Sequence, residues 1–286
     1  MNNQAKVVTT WSPKGGSGKT TLVKAMLELL GLTHNVAAID WDSQSDLTHR
    51  LLSCDNANEI AYSDMSIYQI YEDMLQPRLG DFWFSTNVKT TRKGNLKLLL
   101  KGDVRSSLID LDISTTFLLM KWMIPHYLPY IAKNLFSLGR DESGSEFVLN
   151  NNNTPIVLLD TNPAPTITNG FCVMLSDAVI VPLDAIGAEH TLQVFSICCK
   201  KFSEYLSILS DPENHDHPYY VPEKQVELLA VPIKSDNQSE KQLSSIRFQF
   251  DELRKSLQKS GFAINASTED IVFYADKECT WLTKKF

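Results

Sequence analysis

One short segment near the start of the chain carries the clearest chemistry: Ser12-Pro13-Lys14-Gly15-Gly16-Ser17-Gly18-Lys19-Thr20-Thr21. Its glycines allow successive backbone N–H groups to turn inward around phosphate oxygens, and the start of a following helix adds a positive dipole end. Lys19 would then reach the β- and γ-phosphates as a point charge, and the Thr20 hydroxyl would hold Mg²⁺. The pattern therefore predicts a binding loop for a nucleoside triphosphate.

The flanking residues are those that such a loop needs. An apolar run, Val7 to Trp11, precedes it, and a helix-forming run, Leu22 to Leu30, follows it with Gly31 as a C-cap. A glycine loop between a strand and a helix is the structural context in which a phosphate-binding motif is specific.

The details of the loop identify a subgroup. Pro13 occupies the position of the first glycine in the general G-x-x-x-x-G-K-[ST] pattern, and the loop instead fits K-G-G-x-G-K-T-T. This resembles the deviant Walker A loop of the ParA/MinD family of dimeric ATPases. The resemblance implies that Lys14 crosses to the partner subunit's nucleotide, so that ATP bridges a homodimer; the alternative is an exposed loop lysine.

Two further apolar runs end in acidic residues. Val36 to Ile39 is followed by Asp40 and Asp42, and Pro155 to Leu159 is followed by Asp160. Carboxylates at the ends of buried parallel strands face the crevice where such sheets bind ligands, and there they support Mg²⁺ or orient the attacking water.

The resemblance assigns a role to each acid. It implies that Asp42 activates water and that Asp40 lies near Mg²⁺, as in the family's D-x-D-P-Q segment. Asp160 resembles the Walker B acid, which binds Mg²⁺. The chain departs from the family at Ser43 and Asn162, where prolines are usual; the second change affects the switch segment after Asp160.

The remaining apolar runs predict the fold class. Asp177 to Leu183 and Val226 to Pro232 are predicted strands with a helix between them, and Pro182 and Pro232 are expected just past the strand ends. Alternating strands and helices predict an α/β P-loop NTPase, with a mostly parallel twisted sheet covered by helices on both faces, as one domain over residues 1–286. The family resemblance places Pro232 to residue 237 at the adenine.

Residues 55–154 contain no diagnostic motif. We expect helices over Ser66 to Leu75 and Thr115 to Leu138, a strand over Leu96 to Leu100, and a loop from Asp141 to Asn153.

Several basic residues are candidates for DNA contact, as in ParA-like proteins. Glu240 to Ser260 is predicted to be an amphipathic helix with one apolar stripe. The candidates are Lys241, Arg254, Lys255 and Lys259 beside that stripe, together with Lys200 and Lys201. The alternative is an ordinary solvated face, because acidic residues are interspersed.

Bulk properties exclude several classes of protein. The net charge of −7 excludes a uniformly basic nucleic-acid binder, although a local basic patch remains compatible with it. The five cysteines lack C-x-x-C spacing, so they indicate reduced thiols in a cytoplasmic protein and neither a metal site nor a disulfide framework. No signal peptide or membrane span is evident, and the short C-terminal end argues against membrane binding.

Together these features predict a Mg²⁺-dependent, dimerising ATPase that positions DNA or another cargo. The resemblance implies ATP-dependent, nonspecific DNA binding on the nucleoid and slow hydrolysis until a ParB-like or other adaptor stimulates it. The alternatives are a MinD-like membrane-surface ATPase and a metabolic P-loop kinase or ligase.

Overall fold

The structure is a computed structural model that describes the nucleotide-loop half of the chain almost continuously and later segments in part. The described residues are 5–54, 60–69, 87–88, 95–108, 135–136, 140–141, 153–184, 187–209, 226–233, 264–265 and isolated positions between 241 and 255. The strands are β1 Lys6–Thr10, β2 Val36–Asp40, β3 Ala61–Ser66, β4 Asn87–Val88, β5 Lys97–Lys101, β6 Arg140–Asp141, β7 Ile156–Asp160, β8 Ala178–Asp184, β9 Val226–Ile233 and β10 Ile264–Asn265. The helices are α1 Lys19–Leu30, α2 Asp46–Leu52, α3 Ile167–Leu175 and α4 Ala188–Leu209, with a 3-10 turn at Val104–Ser106.

The strands form one mostly parallel sheet in the order β10-β9-β8-β1-β7-β2-β5-β3-β4-β6. Neighbours from β10 through β3 are parallel, and only the short β4 pairs antiparallel, with β3. Strands β1, β7 and β2 lie side by side in register, so that Thr10, Asp160 and Asp40 end at the same edge. The phosphate loop after β1 begins at that edge.

Both faces of the sheet are covered. Val8 belongs to the core cluster of α1, together with Leu22 and Met26. The next residue, Thr9, points the other way, where its hydroxyl donates to the Cys172 carbonyl oxygen in α3 at 3.0 Å. Because successive residues of a strand point to opposite faces, α1 and α3 lie on opposite sides of the sheet.

The central strands are apolar without alternation for this reason. Every residue of β2 and of β7 is buried, as expected for strands of a parallel sheet with helices on both faces. The predicted α/β P-loop NTPase fold, with a mostly parallel sheet, is therefore confirmed.

The strand and helix expectations hold with two corrections. The strands before Asp40 and Asp160, the strand near Leu96 and the long helix from Ala188 are confirmed. The expectation for the prolines was wrong, since Pro182 and Pro232 lie inside β8 and β9, paired with Val231 and Leu183. Pro182 is tolerated because β1 pairs with β8 only as far as Ile180, so the missing N–H lies beyond the end of that neighbour.

The second correction concerns residues 61–66, which form strand β3 where the sequence indicated only a helix from Ser66. Residues 67–69 are helical, and the rest of that predicted helix lies outside the described residues. Most of the helix over Thr115 to Leu138, the loop after Asp141 and much of the helix over Glu240 to Ser260 also lie outside them.

Candidate functional site

The loop between β1 and α1 has the backbone conformation of an anion cradle. Gly16 and Gly18 have φ values of 69° and 80°, which non-glycine residues seldom adopt. Gly18 is also the N-cap of α1, and no side chain caps this end of the helix. The first helical hydrogen bond runs from the Leu22 N–H to the Gly18 carbonyl, so the amides before Leu22 are left for an anion.

Lys19 is held inside this loop. Its side chain is buried, and Nζ donates to the carbonyl oxygens of Ser12 and Lys14, each at 3.3 Å. Burial lowers the pKa of Lys19, while the negative charges of Asp160 and Asp42 oppose that shift. The ammonium group is therefore positioned among carbonyls and near two carboxylates, where phosphate oxygens would complete its contacts.

Lys14, in contrast, is exposed. Its Nζ lies 3.5 Å from the position of a Cβ at Gly187, just before α4. In this single chain, the two lysines of the motif thus point to different surroundings. The structure brings Lys19 to the acidic residues and leaves Lys14 at the surface, beside the start of α4.

Asp160 ends β7 opposite Asp40 of β2. It is fully buried, and neither carboxylate oxygen has a hydrogen-bond partner of ordinary geometry among the described residues. Burial raises the pKa of Asp160 to about 7, and the charge of Asp40 adds to the rise, while the nearby Thr20 hydroxyl opposes it. Two buried, unsatisfied acceptor atoms beside a threonine hydroxyl fit Mg²⁺, which prefers oxygen ligands.

Asp40 has different surroundings although it is equally buried. Its Oδ2 accepts from the Thr48 N–H at 2.8 Å and from the Thr48 hydroxyl at 2.6 Å, and Oδ1 accepts from the Asp42 N–H at 3.4 Å. Burial raises the pKa of Asp40 to about 6, against these hydrogen bonds. Asp40 thereby ties the end of β2 to the first turn of α2.

Gly102 completes the enclosure of Asp40. A Cβ at Gly102 would lie 2.9 Å from the Asp40 carboxylate and 2.7 Å from the Ser45 hydroxyl, so only glycine fits there. Its N–H donates to the Thr48 hydroxyl at 2.9 Å. Sequence reasoning missed Thr48 and Gly102; the available signal was a glycine two residues after the strand predicted over Leu96 to Leu100, which ends at this edge.

Asp42 lies in the turn between β2 and α2 and is half-buried. Its Oδ1 accepts from the Gln44 N–H at 3.0 Å, and its carbonyl accepts from the Ser45 N–H at 2.8 Å. Ser45 has a φ of 54°, in the left-handed region, which indicates a tightly constrained turn. Asp42 is thus rigidly placed near Lys19 with its side chain partly open to solvent.

The segment after Asp160 is fastened by two asparagines. The side-chain amide of the buried Asn169 donates to the Asn162 carbonyl and side chain and to the Ala164 carbonyl, at 2.7–3.0 Å. Asn162 stands where the family usually has proline after the Walker B acid. In this chain the hydrogen bonds of Asn169, in place of a proline ring, restrain the backbone there. Sequence reasoning missed Asn169, since an isolated asparagine in a helical run has no distinctive pattern.

Most of the chain matches one known protein family. The CobQ/CobB/MinD/ParA nucleotide binding domain matches residues 8–271 of the chain. The chain belongs to this family. Among curated proteins, none matches it significantly in sequence.

Solved structures of low sequence identity share the fold. Cyanothece McdA in its apo form has a TM-score of 0.54 and 14% identity, covering 98% of this chain and 90% of McdA. A putative plasmid partition protein of Borrelia burgdorferi bound to AMPPNP has a TM-score of 0.51 and 19% identity, covering 92% of this chain and 86% of its own. A Corynebacterium diphtheriae protein has a TM-score of 0.62 and 14% identity, covering 97% and 96%.

The other predicted site residues of this family member are placed as follows. Gly15 is exposed, and Ser17 is buried with a hydroxyl that has no partner among the described residues. Thr21 is exposed, and its hydroxyl accepts from Arg50. Pro232 lies near the end of β9, whereas residues 234–237 lie outside the described part of the chain.

The basic candidates are only partly described. Lys200 and Lys241 are exposed, and Lys255 pairs with Glu252 at 2.9 Å. Lys201 lies in α4, but its side chain is outside the described set, as are Arg254 and Lys259. Among the described helices, none is long and apolar enough to cross a membrane. Cys198 and Cys199 are buried, which agrees with a packing role.

Proposed function

We propose that this protein is a Mg²⁺-dependent ATPase that dimerises around ATP and acts as a switch for positioning DNA or another cargo. The observation that carries the proposal is the buried Asp160, whose carboxylate oxygens have no hydrogen-bond partner of ordinary geometry among the described residues. It lies beside Thr20 and Lys19, at the uncapped start of α1. A triphosphate and its Mg²⁺ would satisfy all of these groups together.

Each residue has one task in this scheme. The amides of the loop and the Lys19 ammonium bind the phosphates, while Thr20 and Asp160 hold Mg²⁺. When bound, Mg²⁺ neutralises charge on the β- and γ-phosphates. Asp42, half-buried and fixed by its turn, orients the attacking water and accepts its proton.

Dimerisation is assigned to Lys14. It is exposed, and its Nζ lies at the surface of the loop, 3.5 Å from the position of a Cβ at Gly187, so we assign its ammonium to a second subunit's nucleotide. The ATP-bound dimer would then be the active form, and hydrolysis would release it.

The cargo proposal rests on the relatives and on the basic residues. Two of the solved relatives are described as McdA bound to ATP and as a plasmid partition protein. We assign nonspecific DNA binding to Lys200, Lys201, Lys241, Arg254, Lys255 and Lys259. We also assign nucleoid association, and stimulation of hydrolysis by a ParB-like adaptor.

The test is the oligomeric state and DNA binding of Asp42→Ala with ATP and with ADP. We expect this variant to remain an ATP-bound dimer, because binding is intact and water is not activated. Asp46→Ala, which removes an exposed carboxylate from the first turn of α2, is the matched control and should behave as wild type. Light scattering after size exclusion measures the mass, and a monomeric Asp42→Ala protein with ATP would contradict the switch.

The same variant tests the cargo. DNA binding that requires ATP and weakens steeply with salt supports a DNA-positioning switch. An intact ATP dimer that binds no DNA in either state would contradict the DNA assignment. Liposome co-sedimentation with ATP then tests for a membrane surface, and rapid turnover with a small acceptor would indicate a metabolic enzyme.

A further inference from the structure

A polar contact joins helix α2 to the first turn of helix α1, next to the phosphate loop. The exposed Arg50 of α2 donates from Nη1 to the Thr21 hydroxyl at 3.0 Å, across 29 residues of sequence. Thr21 belongs to the first turn of α1, directly after the predicted Mg²⁺ ligand Thr20. The guanidinium therefore lies beside the end of the helix that faces the phosphates.

The contact lies where helices α1 and α2 pack against each other. Leu47 and Leu51 of α2 are buried in the same core cluster as Leu22 and Met26 of α1, so the two helices are packed together. The backbone of Arg50 is also engaged, since its carbonyl accepts from the Cys54 thiol at 2.8 Å. Lys24, one turn further along α1, donates to that thiol at 3.0 Å. The position of Arg50 is therefore set by packing as well as by Thr21.

The charge of Arg50 has no counter-ion in the part of the chain that the structure describes, since no carboxylate lies within salt-bridge distance of it. A basic residue in the last turn of a helix is often explained by the negative end of the helix dipole. Here the guanidinium instead donates to another helix, whose N-terminal end carries the positive dipole. The guanidinium thus adds positive charge at an end of α1 that already favours anions.

The order of residues along α1 indicates which phosphate of the nucleotide lies closest to Thr21 and Arg50. In a phosphate loop, the lysine reaches the β- and γ-phosphates and the following hydroxyl reaches the metal, while loop amides contact the α- and β-phosphates. Thr21 lies one residue beyond that hydroxyl and is exposed, and unlike Thr20 it is not among the groups that shift the pKa of Asp160. An arginine has five donors in a planar fork, and the bond to Thr21 uses one of them.

We propose that Arg50 is a nucleotide-binding residue whose guanidinium, oriented by Thr21, contacts the α-phosphate of the bound nucleotide. This inference rests on nucleotide binding by the loop, as proposed above. It adds to the loop a cation supplied by α2, the helix that begins immediately after Asp42.

The test compares Arg50→Gln with Lys6→Gln in titrations with Mg-ATP and Mg-ADP. Glutamine removes the charge but is shorter than arginine, so it also gives up the bond to Thr21; Arg50→Lys, which keeps the charge, separates the two losses. Lys6→Gln removes one positive charge from an exposed position at the start of β1, the end of that strand away from the loop. We expect Arg50→Gln to weaken ATP and ADP by the same factor of about ten, and Lys6→Gln to change either by less than about twofold.

The outcomes separate this inference from the proposed function. If the wild-type protein binds no ATP, the proposed function fails. If it binds ATP and Arg50→Gln binds both nucleotides equally well, only the role of Arg50 is overturned, and a loss confined to ATP would overturn the α-phosphate contact. Thermal unfolding without nucleotide checks the fold. Should Arg50→Gln unfold, Arg50→Lys keeps the charge, and it should fall between wild type and a tenfold loss.

Discussion

The ends of β2 and β7 offer a controlled comparison within one molecule. Asp40 and Asp160 are register partners on adjacent strands, and both are completely buried. The carboxylate of Asp40 accepts three hydrogen bonds, two of them from Thr48. The carboxylate of Asp160 accepts none of ordinary geometry among the described residues.

The difference shows that burial of an acid has two uses at the same edge of the sheet. A carboxylate with its acceptors filled fastens neighbouring elements, here β2, α2 and the residue after β5. A carboxylate with its acceptors empty is destabilising until a cation binds, which makes it a binding group. We therefore expect Asp160 to carry the direct contact with Mg²⁺ and Asp40 to act mainly by holding α2 and the Asp42 turn.

The largest expected effect separates these two roles. Asp160→Asn should lower single-turnover ATP hydrolysis by about a thousandfold, because a neutral amide no longer supports the metal that stabilises the developing charge. The free energy of unfolding of Asp160→Asn should not fall below that of the wild type. Asp40→Asn should keep activity within about tenfold of wild type but lower the free energy of unfolding by about 2 kcal/mol, through mismatched donors around Thr48.

Rapid-quench hydrolysis and urea unfolding of both variants measure the two quantities. The proposed difference between the two roles is contradicted if Asp40→Asn loses as much hydrolysis activity as Asp160→Asn and both variants have the same free energy of unfolding. In that case both acids hold the metal, as the family resemblance alone implies.

The pH dependence of stability gives the next effect. In the unfolded chain a carboxyl of this type ionises near pH 4, whereas the folded-state pKa of Asp160 is raised to about 7 by burial. Between these values the folded protein binds the extra proton, so the contribution of Asp160 to stability is complete below about pH 4 and falls as the pH rises through about 7. Without ligand, we expect a loss on the order of 2–3 kcal/mol from this group between about pH 5 and pH 8.

Asp160→Asn isolates this contribution from all other titrating groups. Urea unfolding across the same pH range should show a flatter profile for the variant, which becomes the more stable protein near pH 8. Parallel profiles for the two proteins would mean that Asp160 is not held in a destabilising environment.

Much of this edge of the sheet was predictable because its signals are local. The glycine loop and the two apolar runs ending in Asp40 and Asp160 each specify their own element, and parallel strands bring their carboxyl ends together. Strand β3 was not predictable in the same way, because Ala61–Ser66 contains polar residues and is defined by its pairing with β5.

The partners of the site residues were not predictable from local pattern. Thr48 and Gly102 meet Asp40 only after α2 folds back and β5 pairs with β2. Arg50 reaches Thr21 by the packing of two helices. Sequence therefore predicted which carboxylates lie at the edge, but tertiary contacts determine which one is satisfied and which one is left to bind.

The smallest effect tests the enclosure of Asp40 alone. Thr48→Val keeps the shape of the side chain and removes the hydroxyl that donates to Asp40 at 2.6 Å and accepts from the Gly102 N–H at 2.9 Å. We expect a loss of about 1–2 kcal/mol in the free energy of unfolding, because a buried carboxylate and a backbone donor each lose a partner.

Thr48→Ser is the matched control, since it keeps the hydroxyl and should lose less than about 1 kcal/mol. Urea unfolding of the two variants gives the difference, and Mg-ATP affinity should stay within about threefold of wild type in both, because Asp160 is untouched. Equal stability of valine and serine would show that the hydroxyl adds nothing to Asp40. The unequal surroundings of the two aspartates would then depend on the Thr48 and Asp42 backbone amides, which both variants retain.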